Sequence, residues 1–405
     1  MAARVVITGL GLCTSLGQER EAAARRLALG RPAFAMSPHL PFVVCPVDLE
    51  DDAEDEAGAR LKKWRHRRYL SRAGFFAVLA GLRAALDAGE GAIGLETGII
   101  GTAAPTLDFE REQGLPPADA LNLDALWLLR WLPNTCLSAL SILLGIHGAG
   151  LTLGCACASG LMSLGEAWLK VRHGIMPSCL AAAGDSRLSL GGLLGYSKAH
   201  TLSTCQNPEL ASRPFDAERC GFVPGEGGAA FFLEEREHAL ARGAKIFGEV
   251  LGYGASLDGI SLTAPDADGT FAEQAVRRAL AEAGMSPADI DWVSAHGTGT
   301  RANDAAEAAV LQRVFSKEPQ PKVTALKSWI GHCSAAAGAV EAALCLCTAV
   351  RGFIPAIRGL ENPIAELNFV RERPAKVPEH SVGLLESFGF GGQNAALVLR
   401  VGEAL

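Results

Sequence analysis

The chain has 405 residues, 49% hydrophobic and 20% charged, a composition that folds into one large core or two medium domains and excludes a disordered protein. A formal net charge of -7 argues against a nucleic-acid binder while leaving room for a local basic patch that serves an acidic partner. Eleven irregularly spaced cysteines, an odd count, fit a reducing compartment rather than a disulfide framework.

In chain order, the N-terminus carries one basic residue and an apolar run, Val5 to Ile7, too short for a signal peptide, so a cytoplasmic protein is expected. Val5 to Thr8 is β-branched throughout, as in a strand covered on both faces. Gly9-Leu10-Gly11 invites a dinucleotide-binding reading. Thr14 stands where the third glycine belongs, and no strand ending in Asp or Glu follows at the right distance, so nicotinamide is not expected. Gln18 to Leu29 predicts a helix, and Pro32 to Ala57 a surface loop with at most one short strand. Leu61 to Arg72, LKKWRHRRYLSR, puts six Lys or Arg on the leading turns of a helix whose later part, Ala73 to Ala88, is apolar enough for burial. Such a run is commonly a solvated face, yet against an acidic background it is a candidate docking patch.

Gly98 to Thr102 predicts a buried strand and Leu107 to Leu121 a polar surface excursion. The longest apolar region, Leu126 to Leu144, is interrupted by Arg130, Pro133 and Asn134 and reads as a buried helix, not a membrane span. Next comes LTLGCACASGLMSLGEAWLK, Leu151 to Lys170: a strand end, a turn of small residues, and an apolar helical pattern from about Ala158. This places Cys157 at a helix N-terminus, where free N–H groups and the dipole are expected to favour thiolate at neutral pH. Most cysteines in apolar surroundings are inert core residues, so the assignment needs the rest of the chain.

Cys179 to Ala183 is a further strand, and Phe231 to Leu233 closes a first half, residues 1–245. The second half, 246–405, opens with strand Ile246 to Gly254. Helix Thr270 to Ala283, strand Asp291 to Ala295, helices Ala305 to Phe315 and Ala335 to Val350, and strands Ser381 to Leu385 and Ala395 to Arg400 follow. Both halves alternate strand and helix, which implies an α/β fold of two layers with mostly parallel sheets.

Three glycine-rich turns in the second half can face a ligand: AHGTGT with His296, KSWIGH with Lys327 and His332, and SFGFGGQN from Ser387 to Asn394. A metal is not expected: Cys155 and Cys157, like Cys345 and Cys347, are separated by one residue, whereas structural zinc sites use two to four.

These residues together resemble the β-ketoacyl-[acyl carrier protein] synthases, the condensing enzymes of the type I/II branch within the thiolase-like superfamily. The likeness runs through VVITGLG, ACASG, RPFD, GFVPGEG, HGTGT, KSWIGH and SFGFGGQN, seven motifs in order over nearly the whole chain. It implies a five-layered α-β-α-β-α arrangement of two similar halves and a decarboxylative Claisen condensation that extends an acyl chain by two carbons. Cys157 would carry the acyl group, the N–H groups of Cys157 and Phe390 would form the oxyanion hole, and His296 and His332 would stabilise the enolate. By the same resemblance Lys327 and Glu341 tune the second histidine, Asp304 and Glu307 brace the loop after the first, and Phe388 and Phe390 wall and gate the acyl pocket. Lys62, Lys63, Arg65 and Arg68, with Arg130 a further candidate, fall where the family docks an acidic carrier protein. No cofactor is implied, since phosphopantetheine arrives on the carrier.

The sequence departs from the family at Cys155, usually Thr, Cys220, usually Asp, Arg301, usually Pro, and Gln393, usually Thr. Ala104 falls where a bulky aliphatic often ends the pocket, and the 105–132 excursion looks short, which predicts a longer or unusual chain, as in a specialised polyketide, polyene or lipid pathway. A CoA thiolase would carry a cysteine in the late glycine loop, where Phe390 stands. A non-catalytic chain-length partner would lose the nucleophile that is retained here. Homodimer and heterodimer with a related subunit both remain open at this stage.

Overall fold

The computed structural model describes residues 3–30, 32–49, 55–104, 125–317 and 319–402. The strands of the main sheet are β1 Val5–Cys13, β2 Gly98–Ala103, β3 Gly150–Thr152, β4 Ser178–Ser186 and β5 Glu226–Glu235, then β6 Gly248–Leu257, β7 Trp292–Ser294, β8 Lys322–Thr324, β9 Val382–Gly389 and β10 Gln393–Val401. Among the described residues the helices are α1 Arg20–Leu29, α2 Glu56–Lys63, α3 Arg72–Ala88, α4 Thr135–Leu144, α5 Ser159–Arg172, α6 Leu190–Lys198, α7 Arg236–Ala241, α8 Thr270–Ala283, α9 Arg301–Val314, α10 Lys327–Ile330 and α11 Ala337–Ala349. No helix among the described residues is long and apolar enough to cross a membrane.

The strands form one ten-stranded sheet in the order β8-β7-β9-β10-β6-β1-β5-β4-β2-β3. Cut between β1 and β6, it yields two five-stranded units with one topology. β1-β5-β4-β2-β3 and β6-β10-β9-β7-β8 have matching parallel and antiparallel pairs. The units join through a short antiparallel contact, Val5 to Ile7 against Gly248 to Val250. The sheet is therefore mixed, not mostly parallel as the strand-helix alternation predicts, because β5 runs antiparallel to both of its neighbours, β1 and β4, and β10 to both of its own, β6 and β9.

Helix α3 covers the outer face of the first unit, α8 with α9 covers that of the second, and α5 and α11 lie between the units. That gives five layers. The glycines after the first β-branched run belong to this packing. A Cβ on Gly9 or Gly11 would fall 2.0 Å from the Ala84 carbonyl oxygen or 1.9 Å from that of Ala80, so their absence of a side chain lets α3 lie on β1. Gly252 and Gly254 do the same for α8, at 2.2 and 2.1 Å from the Ala279 and Ala275 carbonyls. Close helix-strand contact, not a pyrophosphate, explains the motif.

Three further expectations change. The basic run is not the start of one long helix: α2 stops at Trp64, a 3-10 turn spans Arg65–Tyr69, and Ser71 caps α3 by accepting from the Gly74 N–H. The apolar stretch after residue 125 becomes a 3-10 turn, Trp127–Arg130, and α4, which buries Cys136, Leu137, Ala139 and Leu140 but exposes Ile142. The late glycine loop is shorter than eight residues, since β9 and β10 pair as far as Gly389 and Gln393. The excursion at 107–121 lies outside the described residues.

Candidate active site

The two central helices point their N-termini at one another's sheets, and the turns that precede them repeat. Each is a 3-10 turn, Ala156–Ala158 before α5 and Ser334–Ala336 before α11. Each opens on a non-glycine residue in the left-handed region, Ala156 at φ 47° and Ser334 at φ 46°. Such a residue costs roughly 1–3 kcal/mol and persists only where its surroundings hold it. Ser159 Oγ holds the first turn, accepting from the Cys155 N–H at 2.8 Å and donating to the Ala156 carbonyl at 2.7 Å.

Strand β9 closes on that turn. Ser387 Oγ donates to the Cys157 carbonyl at 3.0 Å. Gly389 is so close that a Cβ there would sit 2.9 Å from the Cys157 nitrogen and 3.0 Å from the Cys155 oxygen. The next residue, Phe390, brings its backbone N–H to the Cys157 sulfur. The Cys157 and Phe390 backbone nitrogens thus lie on either side of the Gly389 contact, next to the sulfur. Burial pushes the Cys157 thiol up to about 11, against the pull of Lys327 and Arg187 and with a small addition from Asp185. The helix N-terminus therefore does not give a resting thiolate. Loss of solvation outweighs it, and the group waits as a thiol.

His296 and His332 face each other with ring centroids 5.4 Å apart and planes at 83°. Glu307 holds the first turn, accepting from the His296 N–H at 2.5 Å and the Gly297 N–H at 2.8 Å, and Asp304 accepts from Gly299 and from Phe215. The buried Lys327 ammonium donates to His296 Nδ1 at 3.1 Å, to the His296 carbonyl at 2.5 Å and to Glu341 at 2.6 Å. The resemblance assigns Lys327 and Glu341 to the second histidine; Lys327 does lower that ring's pKa through its charge, but the hydrogen bonds of the Lys327–Glu341 pair go to the first. His332 Nδ1 instead accepts from the Ser334 N–H at 3.3 Å, and the His332 N–H donates to the Val223 carbonyl at 2.7 Å.

These contacts fix the tautomers. An ammonium has no acceptor, so His296 Nδ1 must be unprotonated, and a backbone N–H imposes the same on His332. Burial, with Lys327 adding to it, holds both imidazoles well below their usual 6.5, so both are neutral. Each neutral ring then carries its proton on Nε2. Burial raises Glu341 to about 7 although Lys327 pulls it down.

Cys157, His296, His332, Phe388 and Phe390 all line one cavity of about 580 Å³. A separate cavity of about 430 Å³ lies beside Arg72, Arg130 and Glu226 and receives neither the cysteine nor the histidines. Ala104 follows β2, half-buried, and is not among the residues lining the cavity over Cys157. Lys62, Lys63, Arg65 and Arg68 are exposed at the end of α2 and on the following turn, and Arg130 joins them by donating to the Arg68 carbonyl at 3.0 Å.

Sequence reasoning missed several contributors. Asp185, fully buried, accepts from the Ala335 N–H at 2.9 Å and pairs with Arg187, tying β4 to the turn before α11. Tyr196, one of three tyrosines in the chain, lines the cavity and bonds Ser334 Oγ at 3.0 Å. A charged residue ending an Ala-rich buried strand was the one readable signal, at Asp185.

A thiol and two neutral imidazoles contributed by two repeated halves define a condensing enzyme of the thiolase-like fold. The N-terminal domain model of the β-ketoacyl synthases matches residues 2–239 and the C-terminal domain model residues 247–361, so the chain belongs to the β-ketoacyl synthase family. It is 34% identical to a 3-oxoacyl-[acyl-carrier-protein] synthase 2 of Rhizobium meliloti (strain 1021) over 98% of each chain. Among solved structures it is similar to a β-ketoacyl synthase from Burkholderia phymatum STM815, at TM-score 0.90 and 29% identity over 99% of this chain and 100% of that one. It is also similar to the ishigamide ketosynthase/chain length factor, at TM-score 0.85 and 31% identity over 100% of both chains.

Proposed function

We propose that the protein condenses an acyl group held on Cys157 with a malonyl thioester, with loss of CO2 and growth of the chain by two carbons. The observation that carries this reading is one cavity lined by Cys157 and by both histidines. The Cys157 sulfur attacks the thioester carbonyl of an acyl carrier, its proton leaves with the departing pantetheine thiol, and the oxyanion is met by the Cys157 and Phe390 N–H groups. In the second half-reaction the malonyl C–C bond breaks, CO2 leaves, and the electron pair passes to the enolate oxygen between His296 and His332. Neutral imidazoles suit this step because they donate without bringing a full charge into a closed pocket. The enolate carbon then attacks the acyl-Cys157 carbonyl. The C–S bond breaks, and the sulfur takes a proton from solvent to regenerate the thiol. Phe390, on a hairpin whose Gly391 and Gly392 hold φ of 79° and 72°, serves as the gate over the acylated sulfur.

The partner is an acidic acyl carrier protein, docked on Lys62, Lys63, Arg65 and Arg68 with Arg130 beside them; the carrier named in the Rhizobium relative supports this. A second, related subunit covers the exposed apolar residues Leu126, Leu128, Leu132, Ile142 and Leu151, next to the open edge strand β3. The ishigamide protein's name, which includes a chain length factor, supports a heterodimer. Eleven cysteines, none of them in a disulfide, fit the reducing cytoplasm. A purely scaffolding subunit has no use for the retained Cys157, His296 and His332.

The test is intact-mass analysis of carrier-bound products after incubation with malonyl carrier and a panel of acyl carriers, with Cys157→Ala as control. A β-ketoacyl carrier two carbons longer, absent in the control, is the expected product; unchanged carriers with the wild-type chain reject the reading.

A further inference from the structure

Glu386 sits on β9, one residue before the Ser387 that bonds the Cys157 carbonyl, and its side chain is 1% exposed. Both of its carboxyl oxygens are buried and neither has a well-aligned hydrogen-bond partner. The group facing them is the Glu307 carboxyl of α9. Glu307 is already committed, since its oxygens accept from the His296 N–H, the Gly297 N–H and Asn303 Nδ2. Two carboxylates in contact inside a protein cannot both ionise, and a buried orphan acid is the one that keeps the proton. The other charged groups around the pair are Asp304 on α9, with Arg219 3.6 Å from it, and Asp258 and Asp266 lining the small space beside Glu307. Of these, Asp304 reinforces the protonated state of one member.

We propose that Glu386 is a positioning residue for His296: as a neutral carboxylic acid it donates a hydrogen bond to Glu307 and keeps that carboxylate available to the His296 and Gly297 N–H groups. Burial and the neighbouring carboxylates raise both groups, and Glu386 stands well above the usual carboxylate range, in keeping with its role as donor. The arrangement spans two elements. β9 carries Glu386 beside the oxyanion strand, α9 carries Glu307 beneath the histidine turn, and the one proton between them fixes the height of His296 over the cavity. The inference rests on the reading of His296 as an enolate-stabilising donor.

The experiment compares E386Q, which keeps a donor of the same shape, with E386L, which keeps bulk and loses it. Malonyl-carrier decarboxylation and Cys157 acylation are measured separately, with thermal melting of each variant. E386L is expected to lose at least about tenfold in kcat for decarboxylation, with KM within twofold, acylation within threefold and an acid limb moved to higher pH. That direction follows because Glu307 without its donor binds a proton more readily. E386Q restores kcat to within about threefold and returns the acid limb to its wild-type place. E386L equal to wild type, or E386Q as impaired as E386L, overturns the proposal. An infrared difference spectrum gives an arm independent of turnover. A protonated-carboxyl band in the wild-type-minus-E386Q difference at neutral pH, in which the Glu341 signal cancels, supports the assignment even if the wild-type chain decarboxylates nothing, and a difference spectrum without that band refutes it.

Discussion

Replacing Gly389 by alanine puts one methyl group between the nucleophile turn and the strand that supplies the second oxyanion donor. The new Cβ would lie 2.9 Å from the Cys157 nitrogen, 3.0 Å from the Cys155 oxygen and 3.2 Å from the Ala156 Cβ. Non-bonded carbon contacts relax to about 3.5 Å, so turn and strand must part by roughly 0.6 Å. Catalytic groups tolerate displacements of about 0.5 Å, and both sides are constrained, the turn by Ser159 and the strand by its pairing with β10. The Cys157 and Phe390 N–H groups then no longer converge on one oxygen. Loss of one such donor is worth about 3 kcal/mol, or on the order of 10²-fold in rate. The assay is the rate at which the intact protein gains one acyl mass from a small acyl thioester, with melting followed in parallel. We expect acylation of Gly389→Ala to fall about 10²-fold while the protein stays folded. Acylation within threefold of wild type would refute the geometric argument.

Lys327→Met removes the cation between His296 Nδ1 and Glu341; breaking a buried pair costs about 3–5 kcal/mol, read as a lower melting temperature, and decarboxylation should fall more than acylation. Nitrogen NMR of labelled histidine at pH 6 should find His296 and His332 neutral with the proton on Nε2, and a titration of either near 6.5 contradicts the tautomer assignment. Because the folded state holds His332 neutral while the unfolded chain protonates it, its contribution to stability is present above pH 6.5 and is lost as pH falls toward its depressed folded value. Wild type should therefore lose stability relative to His332→Asn between pH 7 and 5, and parallel melting curves would sink this. Reversing the charge of Lys63 and Arg68 to Glu should raise KM for an acyl carrier at least tenfold and leave a small acyl thioester unaffected, as measured by initial rates.

The nucleophile turn and both histidine turns were legible because each pairs a reactive residue with small or glycine neighbours, the first two at the end of an apolar strand and His332 just after the short helix α10. The α/β class follows from strand-helix alternation and the two similar halves from the family resemblance, while the five-stranded form of each half is set by the pairing. The parallel expectation failed because β5 and β10 read like any buried strand, and direction is not written in an apolar run. The place of Cys157 at a helix start predicts that thiolate is favoured. Sequence carries no measure of desolvation, which dominates there. Lys327 lies closer in sequence to His332 than to His296, yet the short helix α10 turns its side chain away toward the first histidine. Glu386 escaped notice because a carboxyl in an apolar strand is conspicuous only once both its oxygens are known to be buried.

The most direct test separates the two half-reactions. The double variant His296→Asn, His332→Asn and the single variant Cys157→Gln are each incubated with acyl carrier and malonyl carrier, and protein masses and released CO2 are followed together. The account predicts that the double variant accumulates an acyl group on Cys157 without releasing CO2 or extending the chain, while Cys157→Gln releases CO2 without becoming acylated. Chain extension by the double variant, or an acyl adduct carried on another of the cysteines, would contradict it.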